Sequence, residues 1–165
     1  MKKLIFVRHG RAEDPSSEFS DFQRSLTPKG KSVAKLMAKK LSVEENDPGI
    51  LVTSTAFRAL ETAIIFGEVL GIKPEKIIPD TNIYYKMSLN YLLNLLSKTE
   101  NDIDTIMLFG HNPSFSEIPD KLCKEGCDFM PKCGIAGISF NITKWSELKQ
   151  GTGKLEYFLK PEKVL

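Results

Sequence analysis

The chain has two histidines, and each stands directly beyond an apolar run. Only Arg8 separates His9 from the run 4–7, and one glycine separates His111 from the run 105–109. Both runs have the β-branched and aromatic content of short buried strands. If these strands are parallel neighbours, both imidazoles emerge at the carboxyl edge of the sheet, where open α/β sheets bind ligands. An imidazole with a pKa near ~6.5 is largely neutral at neutral pH and can act as a nucleophile.

Three arginines are predicted to join the histidines. Arg8 adjoins His9, Arg24 lies near the end of a polar loop, and Arg58 falls in the first turn of a predicted helix. Guanidiniums, imidazoles and a helix N-terminus together suit a tetrahedral dianion such as phosphate. Two alternatives stay open, because Arg58 could pair with Glu61 and Arg24 could be solvated. A charge that abuts an apolar strand, as Arg8 does, needs a partner or a ligand.

Helices are predicted where a capping residue precedes apolar residues at helical spacing. Thr27, with Pro28 at the first helical position, begins the first helix, and Ser88 begins the third. The second helix ends at Gly71, and the hydroxyl run 53–55 is suited to capping its start. The residues predicted to face the core are Val33, Leu36, Met37 and Leu41, then Ala59, Leu60, Ala63, Ile64 and Leu70, then Leu89, Leu92, Leu93 and Leu96.

Strands alternate with these helices, which predicts a three-layer α/β domain with a mostly parallel sheet spanning residues 1–165. A capping box from Ser114 to Glu117 would begin a fourth helix, but Pro119 conflicts with it, and a start nearer Ser116 resolves the conflict. The last two strands follow one another without a long helix, so an antiparallel edge is expected. The predicted strands are 4–7, 50–52, 77–78, 105–109, 135–142 and 155–159.

Length, composition and net charge argue against several classes of function. The 165 residues are enough for one compact domain, and 27% charged residues are typical of a soluble globular protein. A net charge of +2 without a run of five basic residues argues against nucleic-acid binding. No apolar run suits a signal peptide or a membrane span. We therefore expect a cytoplasmic protein without a membrane partner, and a monomer by default.

Three cysteines lie close together at Cys123, Cys127 and Cys133. An odd number without an export signal argues against a disulfide framework. Their spacing is not the pair typical of zinc ribbons, and neither histidine is near them in sequence. We interpret them as small, semi-buried thiols in a loop. A redox or metal role, and whether the loop borders the site, stay open.

Four motifs, taken in order, resemble those of the histidine phosphatase superfamily. The resemblance covers residues from about 4 to 140 and implies a phosphoglycerate mutase-like fold. Short length, the R-x-L-T-x-x-G element and the G-H-N-P element are most similar to the SixA-type phosphohistidine phosphatase branch. The motifs are Arg8-His9-Gly10, Arg24-Ser25-Leu26-Thr27-Pro28-Lys29-Gly30, Ser54-x-x-x-Arg58-Ala59-x-x-Thr62-Ala63 and Gly110-His111-Asn112-Pro113.

The resemblance implies a role for each matching residue. His9 would be the nucleophile that forms a transient phosphohistidine, with His111 as the second imidazole. Arg8 and Arg58 would hold the phosphoryl oxygens and stabilise charge during transfer. No metal or other cofactor is expected, because these cations already neutralise the phosphate. Further candidate phosphate contacts are Arg24, Gly10, Asn112 and Ser54, the last with helix capping as an equal alternative.

The general acid is where this sequence departs from much of the superfamily. Mutase-like members carry a glutamate after the third strand, and phytase-like members carry an aspartate after the second histidine. Here Asn112 follows the second histidine, and Asp80 is the sole carboxylate of the stretch 80–85. Loss of an acid costs about 10²–10⁴-fold on ordinary phosphate esters, whereas imidazole leaves a phosphoramidate far more easily.

The predicted function is therefore hydrolysis of protein phosphohistidine. Two alternatives remain open at this point. One is a phosphomonoesterase for a small phosphorylated substrate with Asp80 as its acid, and the other is a phosphate-binding module without catalysis. The loop 12–25 and the segment 82–86 are expected to control access to the site.

Overall fold

A computed structural model describes residues 1–162, and all six of its strands belong to one sheet. The strands are β1 (Lys2–Arg8), β2 (Ile50–Thr53), β3 (Ile77–Pro79), β4 (Thr105–Gly110), β5 (Ile135–Phe140) and β6 (Lys154–Leu159). Their order across the sheet is β3-β2-β4-β1-β5-β6. The first four strands in that order are parallel, β5 is antiparallel to its neighbour β1, and β6 is antiparallel to β5. The predicted α/β class, parallel sheet and antiparallel edge are confirmed.

Four helices in this part of the chain cover both faces of the sheet. They are α1 (Pro28–Glu44), α2 (Phe57–Leu70), α3 (Leu89–Ser97) and α4 (Ser114–Leu122). Alternate residues of β1 point to opposite faces. Leu4 and Phe6 pack with α3 and α4, whereas Ile5 and Val7 pack with α1 and α2. The predicted three-layer arrangement is confirmed.

Capping explains where three helices begin or end. The Thr27 hydroxyl accepts the Gly30 amide at 3.0 Å, and the Ser88 hydroxyl accepts the Tyr91 amide at 3.0 Å. Gly71 ends α2 in the left-handed region, with φ of 71°. These predicted boundaries are confirmed, because each depends on contacts within a few residues.

Two predicted core residues are wrong. Leu36 is 60% exposed and Ile64 is 41% exposed. The buried stripe of α1 runs through Ala34, Met37 and Leu41, and Leu36 lies about 100° around the helix from Met37. Small alanines form part of the buried face of α1. A prediction that favours the largest apolar side chains therefore puts the buried face in the wrong place.

Two predicted helix starts are also wrong. The N-cap of α2 is Ala56, without a side-chain cap, so the hydroxyl run 53–55 does not cap the helix itself. Helix α4 begins at Ser114, not nearer Ser116, and Pro113 occupies the N-cap position in place of the predicted capping box. Pro119 lies inside α4 and is buried, so its ring packs in the core although it removes one helical hydrogen bond.

In the described part of the chain, no helix is both long enough and apolar enough to cross a membrane.

Candidate active site

The carboxyl ends of β1 and β4 bring the two histidines together. Arg8 lies opposite Gly110 in the parallel register, so His9 and His111 leave the sheet side by side. The His9 amide donates to the Gly110 carbonyl at 3.0 Å, and the ring centroids are 5.1 Å apart. The sequence prediction that both imidazoles share one sheet edge is correct.

The ring of His9 is held in one tautomer. Its Nδ1 lies 2.7 Å from the Gly10 carbonyl oxygen, which only accepts hydrogen bonds, so Nδ1 carries the proton. Burial lowers the pKa of His9 to about 3. The Gly10 bond opposes this shift, whereas His111, Arg58 and Arg8 reinforce it. At neutral pH the ring is therefore neutral, and Nε2 carries a free lone pair.

His111 is oriented by a buried hydroxyl. Its Nε2 lies 2.7 Å from Ser54 Oγ, and Ser54 is fully buried at the end of β2. Ser54 Oγ also accepts the Ala56 amide at 3.2 Å, which fixes the hydroxyl in turn. Burial lowers the pKa of His111 to about 4, with Arg58 acting in the same direction and Asp21 against it. The sequence left Ser54 open between a phosphate contact and helix capping. In the structure its hydroxyl contacts His111 Nε2 and the Ala56 amide.

Arg58 is buried in the first turn of α2 and is held by the loop 12–25, which we call the covering loop. Its Nη1 donates to the Asp21 carbonyl at 2.8 Å, and its Nη2 donates to the Asp21 carboxylate at 3.0 Å. The alternative pairing with Glu61 is wrong, because Glu61 accepts the Leu26 amide at 2.9 Å. Arg58 therefore faces the covering loop, not its own helix.

Asp21 contacts the predicted site residues, and sequence reasoning missed it. Its carboxylate also accepts from Arg24 Nη1 and from the Tyr84 hydroxyl, both at 2.8 Å. Partial burial raises the pKa of Asp21, but hydrogen bonds from Arg24, Tyr84 and Arg58 outweigh burial and hold that pKa well below its ordinary value. The Tyr84 ring lies 5.7 Å from the His111 ring, so this cluster borders the histidine pair. Only the Asp21–Arg24 spacing was readable in the sequence.

Arg8 lies on the other side of the histidine pair. Its Nη1 donates to the Met130 carbonyl at 3.1 Å, and its guanidinium lies 5.7 Å from the centre of the Phe129 ring. Its Nε is buried without a hydrogen-bond partner among residues 1–162. Burial lowers the pKa of Arg8 from its ordinary value.

Glycine is needed at position 10 because the segment around His9 closely approaches the first turn of α1. A Cβ on Gly10 would lie 3.3 Å from the Gly30 carbonyl oxygen. The Gly10 amide donates to the Thr62 hydroxyl at 3.1 Å, so it is already engaged. A contact from Gly10 to phosphate stays a prediction.

Asn112 and Arg24 also have partners within the protein. Asn112 donates to the Met130 carbonyl at 3.0 Å and accepts from the Ser116 hydroxyl at 2.9 Å. Arg24 donates from Nε to the Glu13 carbonyl at 2.7 Å, in addition to its bond with Asp21. Their described contacts stabilise the two loops beside the site, and their phosphate contacts stay predictions.

Asp80, the candidate general acid, accepts two hydrogen bonds. One oxygen accepts the Asn82 amide at 3.0 Å, and the other accepts the Tyr91 hydroxyl at 2.6 Å. The first contact caps the short helical turn Thr81–Ile83, and neither partner is one of the predicted site residues. A role in proton transfer stays untested.

The segment 123–133, here called the cysteine loop, borders the site. The Cys133 amide lies 3.0 Å from the Arg8 carbonyl and 3.1 Å from the His9 carbonyl. All three cysteines are free, and burial raises their pKa to about 12 for Cys123 and Cys133 and about 11 for Cys127. The prediction of semi-buried thiols holds for Cys127, whereas Cys123 and Cys133 are buried. Residues 1–162 hold no group of three or more His, Cys, Asp or Glu arranged for a metal ion.

Sequence comparison supplies the family. The family model of the histidine phosphatase superfamily (branch 1) matches residues 4–80. An uncharacterised protein of Picosynechococcus sp. is 35% identical over 118 residues, which cover 70% of this chain and 69% of that protein. The chain belongs to the histidine phosphatase superfamily. The resemblance drawn from the four motifs is confirmed.

Several solved structures share the fold. SixA from Agrobacterium tumefaciens is 24% identical, with a TM-score of 0.79 over 98% of this chain and 99% of that one. The protein histidine phosphatase SixA in complex with tungstate is 20% identical, with a TM-score of 0.81 over 96% and 97% of the two chains. A mycobacterial glucosyl-3-phosphoglycerate phosphatase in complex with VO3 is 15% identical, with a TM-score of 0.69 over 95% and 98%. The phosphoglycerate mutase-like fold expected from the motifs is confirmed.

Proposed function

We propose that this histidine phosphatase hydrolyses protein phosphohistidine through transient phosphorylation of His9. The observation that supports this most directly is the bond from His9 Nδ1 to the Gly10 carbonyl, at 2.7 Å. It leaves Nε2 as the free nucleophile of a neutral ring. A nucleophile of this kind divides one difficult displacement into two easier ones.

In the first step, the lone pair of His9 Nε2 attacks phosphorus while the phosphorus–nitrogen bond of the substrate breaks. The bonding electron pair goes to the leaving imidazole nitrogen, which takes a proton from water. In the second step, water attacks the phosphorus of phospho-His9, and the bond to Nε2 breaks. Orthophosphate is released with loss of a proton to solvent, and His9 returns to its neutral form.

Arg58 and Arg8 would stabilise the charge of the transferred group. Each terminal nitrogen of Arg58 carries two hydrogens, and Asp21 accepts one from each, so two remain for phosphoryl oxygens. Arg8 keeps Nε and part of its fork unpaired among the described residues. Fixed cations beside a buried nucleophile suit phosphoryl transfer, which depends mainly on positioning and charge stabilisation.

The surroundings of Asp21 and Asp80 favour phosphohistidine over phosphate esters as the substrate. Asp21 is held ionised by Arg24, Tyr84 and Arg58, so it is a poor proton donor at neutral pH. Asp80 has both oxygens engaged by groups outside the histidine pair. Without a proton donor, a poor leaving group such as an alkoxide is disfavoured. Imidazole departs from phosphorus far more easily.

The proposal is tested by comparing substrates. We expect kcat/KM for a phosphohistidine peptide to exceed that for sugar or nucleotide monoesters by about 10²–10⁴-fold, the usual contribution of a general acid. The Asp80→Asn variant should keep the phosphohistidine activity, because asparagine can still cap the turn. Equal turnover of monoesters, lost on Asp80→Asn, would instead support a small-molecule phosphomonoesterase.

A further inference from the structure

A cavity of about 600 Å³ lies directly beside Arg8, and Asp21 is not among its lining residues. It lies between the cysteine loop, the start of α1 and the residues that follow β6. We call this cavity the basic groove. Most of its charged lining is cationic: Arg8, Arg11, Lys29, Lys132 and Lys160.

The cations of the basic groove have no ion-pair partners within residues 1–162. The one carboxylate in the lining, Glu162, is engaged by Lys40 at 3.4 Å. The chain as a whole carries a net charge of only +2, so five cations around one cavity are a local concentration. Clustered like charges repel, and an anion bound among them relieves that repulsion.

The cysteine loop connects the basic groove to the active site. The Met130 carbonyl accepts from Arg8 and from Asn112, which anchors the loop against the histidine-bearing strand ends. The neighbouring Phe129 is 68% exposed and lies beside the Arg8 guanidinium. An exposed aromatic ring among cations fits a polypeptide that brings both acidic and apolar side chains.

We propose that the basic groove binds an acidic segment of the phosphorylated protein substrate, next to the phosphohistidine. This inference rests on the proposed function and adds a recognition site to it. Arg8 belongs to both places, because it lines the groove and adjoins His9. The groove is far larger than one phosphate group, and its cations come from four separate chain segments, so an extended acidic polypeptide fits it better than a single compact anion.

The test uses two phosphohistidine peptides that differ only in flanking residues, Asp and Glu in one and Asn and Gln in the other. We expect wild type to show a KM on the order of 10-fold lower for the acidic peptide, from a few exposed charge pairs. This preference should weaken as ionic strength rises. The groove variant, Arg11→Glu with Lys132→Glu and Lys160→Glu, should lose or invert it.

The matched control combines Lys73→Glu, Lys76→Glu and Lys98→Glu, which makes the same charge change at exposed positions outside the groove. This control should keep the preference. Equal KM values in wild type, or an undiminished preference in the groove variant, would overturn the inference while the proposed function stands.

A binding measurement separates the two proposals. The unphosphorylated acidic peptide, labelled for fluorescence anisotropy, should bind wild type and the control but not the groove variant. If no phosphohistidine peptide is turned over, the proposed function fails and this binding result still decides the inference. Binding of inorganic triphosphate without any binding of the peptide would identify a small-anion site and overturn the inference.

Discussion

The two histidines differ in how the protein holds them. His9 is fixed through Nδ1 by a backbone carbonyl, whereas His111 is fixed through Nε2 by the Ser54 hydroxyl. The first arrangement leaves Nε2 of His9 free to act as a nucleophile. The second fixes the neutral ring of His111 beside the His9 ring. We therefore expect Ser54 to act as a positioning residue, through His111.

The first prediction concerns that hydroxyl. We expect Ser54→Ala to lower kcat on a phosphohistidine peptide about 10–100-fold, the usual cost of losing a group that orients a functional side chain. KM should change little, because Arg8 and Arg58, the proposed phosphate-binding arginines, stay in place. Steady-state kinetics check this, with Thr55→Ala as the control at the neighbouring, partly exposed hydroxyl. An unchanged kcat would show that His111 needs no such partner.

The second prediction concerns Asp21, which holds Arg58 through two hydrogen bonds. Asp21→Ala removes the carboxylate, so Arg58 and Arg24 lose a shared anchor. We expect kcat/KM to fall roughly 10-fold, as for other residues that orient a functional group. Glu18→Ala, a carboxylate of the same covering loop, is the control. A rise in kcat/KM would contradict positioning and would mean that Asp21 competes with substrate.

The third prediction follows from the low pKa values of the two histidines, about 3 for His9 and about 4 for His111. In the unfolded chain both titrate near ~6.5, so below that pH the unfolded state binds more protons. The stability that they contribute is present above the unfolded pKa and is lost as pH falls toward the folded pKa.

We therefore expect the free energy of unfolding to decrease by about 4 kcal/mol between pH 7 and pH 5, which is about 2 kcal/mol for each histidine. Urea titrations at each pH measure it. The double variant His9→Gln with His111→Gln lacks both titrations and should give a flatter curve. Parallel curves for the two proteins would contradict the assignment of neutral, buried imidazoles.

At the scale of elements, the site depends on how α1 meets the end of β1. Gly30, in the first turn of α1, lies against the backbone of the segment that follows His9. A Cβ on Gly30 would lie 2.2 Å from the Arg11 carbonyl oxygen, so no side chain fits without moving the backbone. Close approach of these two segments keeps Gly10 and the covering loop in position.

The fourth prediction is that Gly30→Ala destabilises the fold by about 1–3 kcal/mol, a usual cost of overpacking, although alanine favours the helix. Phosphatase activity should fall with it, because the shift reaches the segment that follows His9. Chemical denaturation and activity together check this, with Lys31→Ala at the next, exposed position as the control. A more stable protein would show that helix propensity outweighs the clash.

The elements were predictable where their signals are local. Apolar runs predicted the strands, and the Thr27 and Ser88 caps predicted two helix starts. Leu36 and Ile64 were misplaced because α1 and α2 both bury small residues such as alanine, whose small size gives a weak apolar signal. The start of α4 was misplaced because Pro119 is accommodated by burial, which sequence alone does not reveal.

For the molecule as a whole, the sequence predicted the strand-end histidines and arginines but not what holds them. Asp21 contacts Arg58 across 37 residues and Tyr84 across 63, and no local pattern encodes such contacts. The same holds for the Met130 carbonyl, which links the cysteine loop to Arg8. The covering loop, which has no helical or strand periodicity in its sequence, thus supplies groups that orient the predicted site residues.

At the scale of the whole molecule, two groups of charged residues lie beside the histidine pair. On one side the covering loop brings the ionised Asp21 to Arg58, and on the other side the basic groove extends from Arg8. A phosphoryl group held between the two arginines would lie beside His9. This arrangement underlies the central claim, which is phosphoryl transfer to His9.

The most direct test of that claim is rapid quenching of the enzyme after mixing with a phosphohistidine protein labelled in its phosphoryl group. We predict acid-labile, alkali-stable phosphate on His9 of wild type, which disappears as orthophosphate is released. His9→Ala should form no phosphoenzyme and should lose turnover, with circular dichroism confirming its fold. Equal turnover by wild type and a folded His9→Ala, with no labelled enzyme in either, would contradict the account.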